Sequence, residues 1–337
     1  ANQAAVLGLL AGILSALLMY ATAEFLVEDV LRLSDLAKEV ALEYMHMGCW
    51  VAVFSGVVFA ANAALRGSGD TRTPFFIMLA VDSFNIIFSL VLVKVFDLFI
   101  TGLALGMVAG MAVAAAILVG ILVRRSVRMR RELRGQDLDH YAATREKNYA
   151  PELYLQSSSL KPDFSIMYRI LSIGLPQALE VGGIWLIQIY VLRVISSLGD
   201  ACVGAHNIAI RIESMSFLPG FAIGMAGATL VGQYLGTGSV RMALATVRRC
   251  VLYSVFFMGC MGIIFFLFPG IFAEIFAANS ESLLRETIPV VQVFLLAEPF
   301  YAAMLILKMC LRGAGDTRRV MFVSYGCMGF FRVFCLM

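Results

Sequence analysis

Two glutamates stand inside long apolar runs of this 337-residue sequence and are the first candidates for chemistry. Glu180 follows Gly174 and Pro176 in one run, and Glu298 stands beside Pro299 in another. An ionisable side chain at membrane depth costs about 2.5–3.5 kcal/mol, so such groups are functional candidates by default. A carboxylate there can take up a proton or hold a cation, which makes both residues candidates for a proton or cation site. A structural role, in which Glu180 stabilises the entrance of its helix, stays open.

Further polar side chains could complete an ion site or line a binding cleft. Asp82 and Asn85 are three residues apart and share one face of a helix, so they could form a polar spot. Glu213 follows Arg211 and could form a charge pair within the helices, with Glu180 as one conceivable partner. The side chains that could offer hydrogen bonds or soft apolar walls to a substrate are Gln188, Tyr190, Gln292, Tyr301, Met215 and Phe217. Ordinary packing between helices explains each of them about as well.

Membrane helices must position these residues. Hydrophobic residues make up 61% of the sequence and charged residues 15%, and the mean hydropathy is +0.87, whereas soluble domains contain roughly 45–50% apolar residues. Backbone groups in lipid must be paired within the protein, and the alternating strands of a barrel do not occur in the sequence, so helices are expected. The sequence predicts nine apolar segments, of which the last is cut short, at 4–27, 44–64, 75–95, 98–123, 168–197, 205–231, 250–277, 286–310 and 320–337.

One dodecamer occurs twice in the sequence. LRGSGDTRTPFF at residues 65–76 and LRGAGDTRRVMF at residues 311–322 share eight identical positions and lie 246 residues apart. The copies follow the second and eighth apolar segments, so both point the same way, as in halves related by an axis along the membrane normal. The repeat therefore predicts a parent protein of two parallel six-helix lobes, of which this sequence holds about eight to nine helices.

Each dodecamer is predicted to form a tight turn between two helices. Its arginine can extend to the headgroups, and its glycines permit the left-handed backbone that ends a helix. Its aspartate and threonine can cap the next helix, in whose first turn Pro74 is tolerated. The residues in these roles are Arg66, Gly67, Gly69, Asp70 and Thr71 in the first copy and Arg312, Gly313, Gly315, Asp316 and Thr317 in the second.

The distribution of basic residues predicts which face is cytoplasmic. If the segments cross in succession, eighteen of the 26 Lys and Arg residues fall on one face, together with both dodecamers, and four fall on the other. The positive-inside rule places the richer face in the cytoplasm. The predicted domains are an N-terminal lobe at 1–123, a charged cytoplasmic linker at 124–167 and a C-terminal lobe at 168–337. Glycines spaced by four, such as Gly106 and Gly110 or Gly220 and Gly224, predict close helix contacts.

The dodecamer resembles the signature L-R-G-x-G-D-T-R of the multidrug and toxic compound extrusion (MATE) family, at the cytoplasmic end of the fourth helix of each lobe. Residues 172–238 likewise resemble that family's helices seven and eight. The resemblance covers the chain from helix three into helix eleven and implies two helical bundles around a cleft that opens alternately to either side. In the family, acidic residues on helices seven and ten bind the coupling ion, and Glu180 and Glu298 lie about one turn from those positions.

The resemblance implies a monomeric secondary transporter that exports amphipathic, often cationic compounds in exchange for H⁺ or Na⁺, in a bacterial or archaeal plasma membrane. Its partners would be membrane lipid and a small-molecule substrate, with no cofactor, metal or nucleic acid. A lipid or lipid-linked oligosaccharide flippase of similar architecture is the alternative. An enzyme or a channel is disfavoured, because the sequence has no HExxH, nucleophile or selectivity-filter motif.

Overall fold

The computed structural model describes residues 2–30, 35–135, 163–277, 281–332 and 334. These residues are almost entirely helical, and none of them lies in a strand. The helices are α1 (Asn2–Phe25), α2 (Asp35–Gly67), α3 (Arg72–Lys94), α4 (Phe99–Gly135), α5 (Phe164–Ser196), α6 (Asp200–Gly236), α7 (Val240–Leu267), α8 (Pro269–Ala277), α9 (Glu281–Gly313) and α10 (Thr317–Ser324). Short π-helical segments follow α1 at Leu26–Val30 and α10 at Tyr325–Phe331.

Most of these helices are long and apolar enough to cross a membrane. Seven of those in the described part of the chain qualify outright, and α9 makes an eighth if its two parts are counted as one span. The parts of α9 meet at a bend of 58° between Val293 and Leu296. Pro299 lies just beyond this bend, and its ring clashes with the carbonyl group four residues earlier. The prediction of an all-helical integral membrane protein is confirmed.

The predicted segment at 250–277 was wrong at both ends. Helix α7 begins at Val240, and it ends at Leu267 before the separate short helix α8. Arg241, Arg248 and Arg249 make the first turns of α7 too polar for a hydropathy signal, yet a helix can extend beyond the apolar part of the bilayer. At the other end, Pro269 disfavours a helical conformation of the residue before it and so separates the two helices.

The chain divides into two compact units, at Ala1–Ile170 and Leu171–Met337. Helix α4 continues to Gly135, so the first part of the predicted linker at 124–167 is helical. Residues 136–162 of that linker lie outside the described residues, and its cytoplasmic location stays a prediction. The predicted ninth segment at 320–337 is described as far as α10 and the π-helical segment Tyr325–Phe331, with residue 334 beyond them.

In the first unit, α1 and α2 cross at very close range through their glycines. A Cβ atom added to Gly56 would overlap the carbonyl oxygen of Gly8 and lie 3.1 Å from Cα of Gly12. A Cβ atom on Gly12 would in turn lie 2.8 Å from the carbonyl oxygen of Ala52. Small residues thus allow the two backbones to touch, which is how helices associate in lipid without a hydrophobic driving force.

Replacing Gly56 by Leu is expected to separate α1 from α2 and destabilise the first unit by at least about 1–3 kcal/mol, because the crossing leaves no room for a side chain. Gly120 on α4 is the matched control, since a Cβ atom there meets nothing within 4 Å. Thermal unfolding of both leucine variants in detergent checks the prediction. Equal melting temperatures for the two variants would contradict it.

The predicted glycine contacts between helices are confirmed in both units. On α4, a Cβ atom on Gly106 would overlap Ser89 of α3, and one on Gly110 would lie 3.1 Å from Cβ of Asn85. In the second unit, glycines of α6 make the corresponding contacts with methionines: Gly220 with Met258 of α7, and Gly224 with Met309 of α9. Helix α6 therefore lies directly against both α7 and α9.

Both copies of the dodecamer form the predicted turn. Gly69 and Gly315 have φ angles of +93° and +88°, the left-handed conformation that favours glycine. The side chain of Asp316 accepts a hydrogen bond from the backbone nitrogen of Arg319 at 3.4 Å, and that of Asp70 accepts one from the backbone nitrogen of Thr73 at 3.0 Å. Each aspartate thus caps the next helix, as predicted.

Three details of the turn were predicted incorrectly. Gly67 and Gly313 are the last helical residues of α2 and α9, and neither has a positive φ. A Cβ atom on Gly313 would overlap the carbonyl oxygen of Ala228 on α6, so this glycine serves close packing. Thr71 makes no capping hydrogen bond through its side chain. Arg312 does not extend to the headgroups; its guanidinium donates to Glu180 at 2.9 Å.

Asp70 also contacts α4 through Arg125. Nη2 of Arg125 donates to Oδ2 of Asp70 at 2.6 Å and to Oγ1 of Thr73 at 3.2 Å. Partial burial raises the pKa of the Asp70 carboxyl, but the hydrogen bonds from Arg125 and Thr73 outweigh it, so the pKa lies below its ordinary value. The turn between α2 and α3 is therefore joined to the helix that leads into the linker.

Replacing Asp70 by Asn is expected to lower stability by about 1–2 kcal/mol at neutral pH, because the variant loses the ion pair and weakens the cap. A depressed folded-state pKa means that the contribution is complete above the unfolded value of about 3.9 and is lost as pH falls through the folded value. Melting curves of wild type and variant should therefore converge at acidic pH. The Asp316→Asn variant is the matched control, with a smaller loss expected, because Arg319, its ion-pair partner at 3.3 Å, is mostly exposed. A difference in melting temperature between the wild type and the Asp70→Asn variant that persists below the folded-state pKa of Asp70 would contradict this account.

Candidate functional site

Glu180 lies at the centre of a buried ion cluster that joins three helices of the second unit. Its side chain is fully buried on α5. Oε1 lies 2.7 Å from Nζ of Lys308 and accepts a hydrogen bond from Oγ of Ser324 at 2.6 Å. Oε2 lies 2.9 Å from Nη2 of Arg312. Lys308 and Arg312 are one turn apart on α9, and Ser324 ends α10, so one carboxylate fixes both helices to α5.

This cluster makes Glu180 a poor site for a coupling cation. Two protein cations already neutralise its charge, and a serine occupies a further acceptor position. A third cation would be repelled by Lys308 and Arg312. The structural interpretation of Glu180 is therefore the one that the geometry favours, and the suggested pairing with Glu213 does not occur.

A cavity of about 570 Å³ opens between four helical segments of the second unit. Its polar wall combines acidic, basic and hydrogen-bonding groups in a largely apolar surround. Helices α5, α6 and α9 and the end of the π-helical segment provide the lining residues, which are Ile184, Trp185, Gln188, His206, Ala209, Ile210, Glu213, Val290, Ala297, Glu298, Tyr301, Met328 and Arg332. The volume suits a drug-sized ligand, since such pockets measure about 300–1,000 Å³.

Glu298 is the most deeply buried acid of this cavity. Its side chain is 2% exposed, and Oε2 accepts a hydrogen bond from Oγ of Ser216 on α6 at 2.9 Å. Oε1 is buried and has no hydrogen-bond partner among the residues that the structure describes. An unpartnered carboxylate oxygen is costly in an apolar environment unless a proton or a cation reaches it. Glu298 therefore has the open coordination that Glu180 lacks.

Glu213 brings a second carboxylate to the same cavity. It lies on α6, half-buried and one turn before Ser216, the residue that contacts Glu298. Glu213 and Glu298 line the same cavity, whereas the partner that the sequence suggested for Glu213 was Glu180. No group of three or more His, Cys, Asp or Glu side chains in the described ranges could hold a metal ion. Two carboxylates with neighbouring hydroxyls suit a proton or a single monovalent cation.

Aromatic side chains form one wall beside the acids. Tyr301 lies on α9 and lines the cavity, and its ring centroid is 6.1 Å from that of Phe217 on α6. Phe217 lies in turn against Phe221, with 5.6 Å between the centroids and an angle of 36° between the ring planes. Trp185 of α5 also faces the cavity, and it is 66% exposed. These rings offer an apolar surface next to the two carboxylates.

The structure therefore brings together some of the predicted site residues and separates others. Gln188, Glu213, Glu298 and Tyr301 line one cavity, and Phe217 contacts it through Tyr301. The lining does not include Tyr190, Gln292 or Met215.

Asp82 and Asn85 lie in the first unit, on α3. Asp82 is exposed, whereas Asn85 packs against Gly110 and accepts a hydrogen bond from Oγ of Ser89 at 3.1 Å. Packing between α3 and α4 accounts for Asn85, as the sequence allowed.

Sequence reasoning missed two charged or titratable members of the cavity, Arg332 and His206. Nη1 of Arg332 donates to Oε1 of Gln188 at 3.0 Å, and His206 lies on the cavity-facing side of α6, two turns before Glu213. An ionisable residue at membrane depth is a functional candidate by default. This rule singled out the two glutamates, and it would have singled out Arg332 as well.

Comparison with known proteins shows the family to which the chain belongs. The family model described as MatE matches residues 1–91 and 176–337. The chain belongs to the MATE family. The matched ranges contain both dodecamers, the Glu180 cluster and every residue that lines the cavity. The resemblance seen in the dodecamers and in residues 172–238 is thus confirmed.

Relatives and solved structures of MATE proteins resemble the chain over most of its length. A probable multidrug resistance protein NorM from Thermotoga maritima is 26% identical over 291 residues, covering 85% of this chain and 57% of that protein. The multidrug resistance protein MdtK of Pectobacterium atrosepticum is 26% identical over 54% of this chain and 40% of its own length. The chain thus spans little more than half the length of the Thermotoga maritima protein.

Among solved structures, the Vibrio cholerae MATE transporter VcmN covers 98% of this chain with a TM-score of 0.81 at 16% identity, and 69% of VcmN is covered in return. A transporter of the MOP superfamily from Pyrococcus furiosus gives 0.79 at 17% identity, over 96% of this chain and 68% of its own. At such identities the likeness establishes the MATE fold.

Proposed function

We propose that this protein is a secondary active transporter that exports amphipathic, often cationic compounds by alternating access, in exchange for the entry of H⁺ or Na⁺. Membership of the MATE family supports transport, and the names of the relatives refer to multidrug resistance. The protein acts in the plasma membrane of a bacterium or archaeon as a monomer, with the linker at 124–167 in the cytoplasm. Its chemistry needs no cofactor other than the coupling ion.

One observation carries this proposal: Glu298 combines deep burial with a carboxylate oxygen that has no hydrogen-bond partner among the described residues, in a cavity it shares with Glu213. A proton or a sodium ion at this pair would neutralise charge that the apolar walls cannot. The same two acids could instead receive the cationic group of a substrate. Ion and substrate would then compete for one pair of carboxylates.

Competition of this kind gives exchange a simple physical basis. A ligand shifts a conformational equilibrium only by its difference in affinity for the two states. With the ion bound, the acids are neutral and hold a cationic substrate weakly, which favours release. With the ion gone, the acids are charged and rebind substrate on the other side. The bent helix α9, which carries Glu298 next to Pro299, is the element through which binding can be linked to movement.

Transport by the protein in proteoliposomes, under an imposed pH gradient or an imposed Na⁺ gradient, tests the proposal. A fluorescent cationic dye serves as the substrate, and vesicles without protein set the background. We expect one of the two gradients to drive dye movement against its concentration difference. Movement that neither gradient accelerates would contradict an ion-coupled exporter.

A further inference from the structure

Arg332 is the one arginine among the residues that line the cavity, and the structure holds it in a defined place. It directly follows the π-helical segment Tyr325–Phe331. That segment is fixed to α5 at its start, where the hydroxyl of Tyr325 donates to the carbonyl oxygen of Leu179, and the ring of Tyr325 lies where only a glycine, Gly183, leaves space. Near its end, Arg332 donates to Gln188, also on α5. The guanidinium is therefore positioned before any ligand arrives.

The acids of the cavity do not neutralise this arginine by direct contact. Within the described residues Arg332 makes no ion pair, although Glu213 and Glu298 line the same cavity, and its hydrogen bond goes to the neutral amide of Gln188. A guanidinium has five N–H donors in a planar fork, of which Gln188 engages one. No other hydrogen bond of Arg332 occurs within the part of the chain that the structure describes, and a guanidinium can bind a planar anion through two parallel hydrogen bonds.

The cavity thus presents charges of both signs, contributed by different elements of the second unit. Helices α6 and α9 contribute the carboxylates Glu213 and Glu298, and the chain after α10 contributes Arg332. The other titratable groups that face the space are His206 of α6 and Tyr301 of α9. The apolar part of the lining includes Trp185 and Ile210. The charge of Arg332 acts on Glu213 through space, so a cationic ligand that neutralises Glu213 would leave the guanidinium without a counter-charge.

We propose that Arg332 selects zwitterionic substrates, in which a carboxylate binds the guanidinium while a cationic group on the same aromatic scaffold binds Glu213 and Glu298. This inference rests on the proposed export function and narrows its substrate class. Arg332 is then a specificity-determining residue, and Gln188 positions it. The volume of about 570 Å³ accommodates a small polycyclic scaffold with both groups.

A matched pair of dyes tests the proposal: a rhodamine with a free carboxylate and its methyl ester, which keeps the cationic ring system and removes the anion. Binding of each dye to the purified protein is measured by fluorescence anisotropy, without any ion gradient. For the wild type we expect tighter binding of the free acid. The Arg332→Gln variant should weaken binding of the acid by about tenfold or more, whereas binding of the cationic ester should be unchanged or tighter, because a positive charge is removed from its cavity.

Two further variants keep the test decisive if Arg332→Gln folds poorly. Arg332→Lys retains the charge and should preserve part of the preference for the acid. Arg319→Gln removes an arginine in the first turn of α10 whose side chain is 85% exposed, and should leave both affinities unchanged. Equal weakening of acid and ester by Arg332→Gln, or no effect on either, would overturn the proposal. If the preference for the free acid is lost in Arg332→Gln while neither the pH gradient nor the Na⁺ gradient drives dye transport, the proposed export function fails and the assignment of Arg332 stands.

Discussion

The Glu298→Gln variant is expected to lose ion-driven export, with dye movement in proteoliposomes reduced to the level of vesicles without protein. Glutamine keeps the size of the side chain and can still accept the hydrogen bond from Ser216, which is 2.9 Å long in the wild type. It cannot gain and lose a proton, and it holds a monovalent cation poorly. An ion gradient therefore cannot drive transport through this residue, because coupling requires that the ion bind unequally to the two conformations of the transporter.

Glu274→Gln is the matched control for this variant. Glu274 lies on α8 in the same unit and is exposed, so the substitution removes a carboxylate without touching the cavity. We expect transport at the wild-type rate for the control and a similar melting temperature for both variants. Ion-driven transport by Glu298→Gln at the rate of the control would remove Glu298 from the mechanism.

The Glu180→Gln variant is expected to destabilise the second unit by about 3–5 kcal/mol, the usual cost of removing one partner from a buried ion pair. The substitution leaves Lys308 and Arg312 without their counter-ion beside a fully buried position. It also alters the contact with Ser324 that fixes α10 to α5. Thermal unfolding in detergent, followed by size-exclusion chromatography of the heated samples, measures the loss.

Two comparisons separate this charge effect from simple loss of a contact. Adding Lys308→Met to Glu180→Gln removes one of the two unpaired cations and should restore part of the stability. Ser324→Ala, which deletes one hydrogen bond and no charge, should cost only about 1 kcal/mol. A Glu180→Gln variant with the same melting temperature as the wild type would contradict the assignment of Glu180 as a structural residue.

Much of the fold was accessible from sequence because its signals are local. The apolar runs predicted the helices, the repeated dodecamer predicted two like turns, and positive φ angles at Gly69 and Gly315 follow from turn geometry. Helix ends were less accessible, because charged first turns such as those after Val240 carry no apolar signal.

The site could be predicted only in part, because its contacts join residues far apart in the chain. Glu180 and Glu298 look alike in sequence, since each is a lone acid in an apolar run near a proline. What distinguishes them is tertiary: Glu180 meets Arg312, 132 residues away, whereas Glu298 keeps a carboxylate oxygen without a described partner. No pattern along the chain indicates which acid is neutralised. The place of Arg332 beside Gln188 depends in the same way on how the chain after α10 packs on α5.

The central claim is that Glu298 holds the cation that a substrate displaces, and the number of cations released on substrate binding tests it most directly. Proton release into weakly buffered solution, and Na⁺ release at constant pH, are measured while a cationic dye is titrated into the protein. We expect the wild type to release one of these cations per bound dye, and the Glu298→Gln variant to bind the dye without release. Undiminished release from Glu298→Gln would contradict the account.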